Sequence, residues 1–160
     1  MPGPPSYVYW DSDLFLAYLN AEPKRLPTLD AIVQDIRDSD GSKRIVTSVI
    51  SKVEVAFIAY ERRGLDPVAE ERIDALWQDS AVVELVELND EIARQARTLL
   101  RESLARGWSR NPRDVIHLAS AQYANVNECH TYDEGWDKYA QLIGVKICRP
   151  YVAQARLPNL

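Results

Sequence analysis

Two acidic residues follow directly on the first apolar stretch of the sequence. Residues 7–10 read Tyr-Val-Tyr-Trp, a short strand pattern, and Asp11 and Asp13 come just before an apolar helical run that begins at Leu14. An unpaired buried carboxylate is costly, so packing alone does not account for acids at a strand's end. In parallel α/β sheets this end of a strand is where ligands usually bind. We therefore interpret Asp11 as the first member of a carboxylate cluster that binds a metal ion.

Three further acids stand in comparable positions. Glu54 lies beside the apolar face of a predicted helix, Asp114 is in the first turn of another helix, and Asp133 follows a strand that ends at Thr131. Taken singly, Asp114 and Asp133 are explained equally well as helix-capping or first-turn acids, and so is Asp13. Glu54 fits no such explanation. Because hard cations prefer carboxylate oxygens, the set predicts a site for Mg²⁺ or Mn²⁺.

Strand and helix patterns alternate along the whole chain, with turn residues between them. This alternation predicts a three-layer α/β/α fold with a central, mostly parallel sheet of four or five strands. The helix from Ser48 to about Arg63 is expected to bury Val49, Val53, Phe57 and Tyr60. The predicted segments are strands at 7–10, 45–47, 81–88, 128–131 and 145–148, and helices at 14–20, 29–36, 48–63, 66–78, 90–106, 111–123 and 133–143.

Length and composition limit the class of protein. We expect one domain over residues 7–150, with a disordered leader at 1–6 and a C-terminal tail at 151–160. The net charge of −5 argues against a protein that holds nucleic acid by bulk positive charge. The apolar runs are too short for a membrane span, and Cys129 and Cys148 suggest no disulfide framework. A cytoplasmic location is the expectation.

The order of these motifs resembles the PIN domain from Tyr7 to about Pro150, and most closely the stand-alone bacterial toxins of the VapC type. By that resemblance the acidic quartet holds Mg²⁺ or Mn²⁺, and the activity is endonucleolytic cleavage of RNA that leaves a 5′ phosphate. It also implies a cognate antitoxin as partner. The matching segments are Asp11-Ser12-Asp13-Leu14-Phe15-Leu16, Ser48-x-x-Ser51-x-x-Glu54, Asp114-Val115-Ile116-His117-Leu118-Ala119-Ser120-Ala121 and Thr131-x-Asp133, with the quartet Asp11, Glu54, Asp114 and Asp133.

Two positions depart from the family pattern. Asp13 stands where the family more often has serine or asparagine, so it is either a helix cap or an additional ligand. Trp136 replaces the usual phenylalanine three residues after the last acid, a change that packing should tolerate. Neither departure removes a quartet member, and we expect an active enzyme.

Other residues are candidates for supporting roles. His117 lies one helical turn after Asp114, where it either contacts substrate or serves as a hydrogen-bonded helix residue. Basic residues are concentrated in the arginines before Asp114, which are candidates for binding phosphate groups. The remaining secondary candidates near the metal site are Ser12, Asp13, Thr131 and Asp137, and the candidate RNA contacts are Arg110, Arg113 and Trp108, the last either stacking on a base or anchoring in the core.

Surplus apolar residues at 29–36 and 57–60 predict either a homodimer interface or a groove for an antitoxin segment. Two other functions compete with the nuclease. A haloacid-dehalogenase-like phosphatase would use Asp11 as nucleophile and Asp13 as general acid, with Thr47 or Ser48 after the second strand and Asp133 and Asp137 near the end of the chain. That alternative leaves Glu54 and Asp114 without a role. The other is a non-catalytic PIN-like module that binds RNA or protein.

Overall fold

The structure, a computed structural model, describes residues 6–152. Most of the expected leader and tail therefore lies outside the described residues, although Ser6 already begins the first strand. The elements in chain order are β1 Ser6–Trp10, α1 Ser12–Leu19, α2 Leu26–Arg37, β2 Lys43–Ser48, α3 Ser51–Glu54, a 3-10 helix Ala59–Arg63, α4 Pro67–Gln78, β3 Val83–Val86, α5 Asp90–Ala105, α6 Pro112–Tyr123, β4 Glu128–His130, a 3-10 helix Glu134–Tyr139, α7 Ala140–Ile143 and β5 Lys146–Cys148.

The five strands form one parallel sheet in the order β3-β2-β1-β4-β5. This confirms the predicted fold class. The chain moves outward from β1 to β2 and β3, then returns to place β4 on the other side of β1. Strand β1 is thus at the centre of the sheet, where the connections change direction and a crevice opens at the strands' carboxyl ends.

Each face of the sheet has its own hydrophobic core. Successive residues of β1 point to opposite faces, so Trp10 packs with α1, α2 and α4, whereas Tyr9 packs with α5 and α6. Both side chains have no solvent exposure. The strand is therefore fixed by burial on both faces, which holds the residue that follows it, Asp11, in one place.

The segment after β2 differs from the prediction. Ser48 ends β2 and does not cap a helix, and α3 is a single turn. Val53 and Tyr60, predicted to be buried, are 77% and 79% exposed, while Ile58 enters the core. The prediction of a helix over 48–63 is wrong.

Side chains from elsewhere in the fold explain this short helix. The carbonyl oxygen of the Asn20 side chain accepts a hydrogen bond from Ala59 N at 2.8 Å. The Glu61 carboxylate accepts from Asp66 N at 3.0 Å and from Ile58 N at 3.4 Å. These bonds satisfy backbone groups without a continuous helix.

Two smaller corrections concern helix boundaries. Asp11, and not Asp13, is the N-cap of α1. The predicted helix over 133–143 is divided into a 3-10 helix and the short α7. The apolar face of α2 is used in the core through Leu29, Ile32, Val33 and Ile36, so these four side chains are not a surplus surface. Among residues 6–152, no helix is long and apolar enough to cross a membrane.

Candidate active site at the carboxyl edge of the sheet

Four elements bring the predicted acidic quartet to one edge of the sheet. Asp11 follows β1, Glu54 ends α3 after β2, Asp114 lies in the first turn of α6, and Asp133 follows β4. Parallel strands all end at the same edge, and α6 begins at that edge because it runs back to the start of β4. The four acids therefore lie at the same edge of the sheet.

Asp11 is a buried carboxylate with two hydrogen-bond donors. Its Oδ1 accepts from Leu14 N at 3.2 Å, which caps α1, and its Oδ2 accepts from Thr131 Oγ1 at 2.5 Å. Asp11 is only 4% exposed, and this burial raises its pKa to about 6 despite the hydrogen bond from Thr131. The negative charge of the nearby, exposed Asp13 acts in the same direction as burial. A cation bound at this edge of the sheet would favour the ionised form of Asp11 and so counteract both burial and the charge of Asp13.

Glu54 is held by hydrogen bonds on one oxygen. Its Oε1 accepts from Ser12 Oγ at 2.8 Å and from His117 Nε2 at 2.5 Å. The guanidinium of Arg113 lies 3.8 Å from the other oxygen, Oε2. Burial acts to raise the pKa of Glu54, but these donors outweigh it and hold the pKa below its ordinary value. Glu54 is thus a fixed, ionised carboxylate at neutral pH.

A buried relay fixes His117 in turn. The Tyr9 hydroxyl accepts a hydrogen bond from Ser48 N at 3.0 Å and lies 2.6 Å from His117 Nδ1. Because the Glu54 oxygen is the acceptor, His117 Nε2 carries a proton, and Nδ1 shares the second hydrogen bond with the Tyr9 hydroxyl. His117 is 2% exposed and is therefore the hydrogen-bonded helix residue of the two roles considered. The sequence analysis missed Tyr9, whose only signal was a hydroxyl in an otherwise apolar strand.

Asp114 and Asp133 face each other across the crevice. The Asn111 side chain caps α6 by accepting from Arg113 N at 2.9 Å, which fixes the turn that carries Asp114. Burial raises the pKa of Asp114, and the charge of Asp133 raises it further. A cation bound near these two carboxylates would offset the effect of the Asp133 charge on Asp114.

Asp133 is placed by backbone contacts. Its Oδ1 accepts from Gly135 N at 2.8 Å, and its own N–H donates to Thr131 Oγ1 at 3.0 Å. Thr131 thus bridges Asp11 and Asp133. A Cβ atom on Gly135 would lie 2.9 Å from Asp133 Oδ1, so the absence of a side chain there permits this carboxylate position.

The carboxylate oxygens of the quartet are spread more widely than the ligands of a closed metal cage. Among residues 6–152, the only three acid, histidine or cysteine side chains whose ligand atoms all lie within 4.8 Å of one another are Glu128, His130 and Cys148. Magnesium commonly binds one or two carboxylates directly and reaches others through its waters. The wider quartet, with its exclusively oxygen donors, fits that mode of binding.

Only some of the other predicted residues lie beside the quartet. Arg113 is exposed beside Glu54, and Arg110 is exposed in the loop before α6. Trp108 packs edge-on against Tyr139 at a centroid distance of 5.1 Å and is partly buried. It therefore anchors in the core, which was the alternative to stacking on a base. Asp137 is exposed and forms an ion pair with Arg149. The structure therefore brings Ser12 and Thr131, but not Asp137, into contact with the quartet.

Comparison with known proteins agrees with this architecture. A sequence model of the family described as PIN domain matches residues 8–142. No protein with a curated description matches the chain. Solved structures with the same fold include VapBC2 from Rickettsia felis bound to a promoter DNA fragment, at 11% identity and a TM-score of 0.68, covering 89% of this chain and 98% of that one.

Two other similar structures are VapBC proteins. VapBC-1 from nontypeable Haemophilus influenzae has a TM-score of 0.64 at 14% identity, covering 89% of this chain and 97% of that one. VapBC-5 from Mycobacterium tuberculosis, described as a member of the VapBC family of toxin–antitoxin systems, has a TM-score of 0.58 at 18% identity, covering 91% and 99%.

Proposed function

Because this chain belongs to the PIN domain family, we propose that it is a metal-dependent endoribonuclease, the toxin of a type II toxin–antitoxin pair. The observation that carries the proposal is the set of four carboxylates, each from a different element, at the carboxyl edge of the sheet. Burial raises the pKa of Asp11 to about 6. Because a buried carboxylate lowers the stability of the folded protein, its presence at the edge of the sheet indicates a functional site. Oxygen donors of this kind are suited to binding a cation.

Asp11, Asp114 and Asp133 would hold Mg²⁺ or Mn²⁺, with Glu54 at the side of the site. Such a cation supplies charge stabilisation at the scissile phosphate and lowers the pKa of a bound water. Thr131 keeps Asp11 and Asp133 at a fixed separation through its two hydrogen bonds. Asp13, exposed at the start of α1, stays available as an additional outer ligand.

Glu54 has the geometry of a group that orients the attacking water. Its Oε1 is occupied by Ser12 and His117, so Oε2 is the oxygen left to accept a proton or a hydrogen bond. The lowered pKa of Glu54 keeps it ionised for that role. Arg113 next to it, 68% exposed, can bind a phosphate oxygen of the RNA while remaining near the acid.

The partners follow from the same family. An apolar surface beside α3, made of Val53, Phe57, Tyr60, Leu65 and Val68, is exposed, and we assign it to an antitoxin segment. One similar solved structure is described as a toxin–antitoxin complex from Klebsiella pneumoniae, and another as a member of a family of toxin–antitoxin systems, which supports this assignment. A homodimer and a cytoplasmic location complete the proposal.

The decisive experiment is RNA cleavage with Mg²⁺, with Mn²⁺ and with EDTA, in the wild type and in Asp11→Asn. Asp74→Asn is the matched control, because Asp74 is an exposed acid on α4, far along the chain from the quartet. We expect cleavage with either cation, none with EDTA, and none in Asp11→Asn. Cleavage that survives Asp11→Asn would overturn the metal site, and turnover of a phosphomonoester through an acyl-phosphate on Asp11 would favour a phosphatase. Metal binding without cleavage of any RNA would favour a binding module.

A further inference from the structure

A second cluster of metal-binding side chains lies on strands β4 and β5, outside the quartet. Glu128 and His130 alternate with Cys129, which packs on the α5–α6 face, so they point to the opposite face of the sheet. Cys148 is the direct partner of His130 across the parallel pair. The three side chains therefore share one face, next to a cavity of about 140 Å³ that Glu128, His130 and residues of α2 line.

The distances within this cluster are close to those of a metal site. His130 Nε2 lies 3.0 Å from Glu128 Oε2, and Cys148 Sγ lies 3.6 Å from the same oxygen. All three ligand atoms lie within 4.8 Å of one another. Tetrahedral zinc, with bonds of about 2.0–2.3 Å, places its ligand atoms roughly 3.3–3.8 Å apart. Side-chain movements of up to about 1 Å would bring all three pairs of ligand atoms into this range.

The donor types select the cation. Imidazole nitrogen, thiolate sulfur and carboxylate oxygen together suit Zn²⁺ and similar borderline transition metals, whereas Mg²⁺ requires oxygen ligands. His130 is 4% exposed, and its Nδ1 has no hydrogen-bond partner among residues 6–152. Nε2, the atom that faces Glu128, is thus the one polar contact of this buried ring.

Neighbouring residues orient the cluster from outside. The Tyr151 hydroxyl donates to Glu128 Oε1, and Lys146 Nζ lies 3.5 Å from that same oxygen, so Oε2 is left for the cation. Such outer contacts typically fix the ligands of a metal site. The Lys146 side chain is 63% exposed, so its ammonium group can move away from Glu128 into solvent when a cation binds. A bound ion would connect the edge strand β5 to β4.

We infer that Glu128, His130 and Cys148 form a binding site for Zn²⁺ or a similar transition-metal ion, independent of the acidic quartet. Three protein ligands leave the fourth tetrahedral position to water. Binding displaces the thiol proton of Cys148, because the thiolate is the ligand. The site stabilises the edge of the sheet and takes no part in RNA cleavage.

The test uses the full chain with Co²⁺ as a spectroscopic probe and Zn²⁺ in calorimetric titrations. We expect a thiolate-to-cobalt charge-transfer absorption that Zn²⁺ abolishes, because the quartet contains no sulfur. Cys148→Ser should remove the absorption, and His130→Gln should weaken Zn²⁺ binding at least about 10–100-fold. Cys129→Ala, which removes the other thiol, should retain both signals.

The quartet variant Asp11→Asn/Asp133→Asn separates the two sites. It should lose RNA cleavage and keep the cobalt absorption, while Cys148→Ser should keep RNA cleavage. Circular dichroism establishes that each variant is folded before it is titrated. An absorption that is absent from the wild type, that persists in Cys148→Ser, or that disappears in the quartet variant would each overturn the inference.

Discussion

Replacing Asp11 by asparagine should make the metal-free protein more stable at neutral pH. The carboxylate is 4% exposed, and burial raises its pKa to about 6 from the ordinary 3.8. A shift of about two pKa units corresponds to about 3 kcal/mol against the ionised form in the folded state. Asparagine keeps the shape and an oxygen for the Leu14 N–H cap and carries no charge, while its amide nitrogen can donate to Thr131 Oγ1 but cannot accept the hydrogen bond that Asp11 accepts from it. We therefore expect a gain of about 2–3 kcal/mol in the free energy of unfolding at pH 7.

The pH dependence of this gain has a definite sign. Because the folded-state pKa is raised, the fold favours the protonated acid, and this contribution is fully present below pH 3.8 and lost as pH rises through 6. The advantage of Asp11→Asn should thus be less than about 1 kcal/mol near pH 4, about 2 kcal/mol at pH 5 and about 3 kcal/mol at pH 7. Urea unfolding in EDTA measures it, and the melting temperature should rise by about 6–10 °C at pH 7.

Asp13→Asn is the matched control, since Asp13 is exposed in the first turn of the same helix. It should change stability by less than about 1 kcal/mol, because it removes a favourable charge at the helix N-terminus but also relieves the repulsion between Asp13 and Asp11. Added Mg²⁺ should stabilise the wild type and leave Asp11→Asn unchanged, because only the former binds the cation. An Asp11→Asn protein that is no more stable than wild type at pH 7 would refute the reasoning.

Three further substitutions test how the site is supported. Tyr9→Phe removes the hydroxyl that contacts His117 and accepts a buried backbone N–H, so the free energy of unfolding should fall by about 1–3 kcal/mol. Cleavage kinetics should show a lower kcat at unchanged KM. An unchanged kcat would exclude a role of the Tyr9–His117 contact in cleavage. Asn111→Ala removes the cap of α6 and should cost about 1 kcal/mol in urea unfolding, with Asn111→Asp as the control that retains it; equal losses in both would contradict the capping role. Gly135→Ala would place Cβ 2.9 Å from Asp133 Oδ1, so the carboxylate would have to move. Calorimetry should therefore show weaker Mg²⁺ binding in a protein with an unchanged circular dichroism spectrum. Wild-type affinity would mean that this carboxylate is not a ligand.

Local patterns in the sequence were sufficient for most of the fold. The starts of α4 and α6 follow from Asp66-Pro67 and Asn111-Pro112, because a cap and a proline act within one helical turn. The alternation of strands and helices implies parallel strands, whose carboxyl ends meet at one edge. The positions of the quartet acids after separate elements could therefore be read along the chain.

What the sequence by itself indicated is the set of acids and their positions near strand ends and helix starts; what only the tertiary structure decided is the length of the helix that carries Glu54 and which atoms meet. Within the segment that was predicted as helix, the N–H of Ala59 donates to the side chain of Asn20, 39 residues away. Glu54 is oriented by His117, 63 residues later, and that histidine by Tyr9, 108 residues earlier. Such contacts depend on the order of strands in the sheet. Helix periodicity and capping extend over a few residues and carry no information about partners so distant.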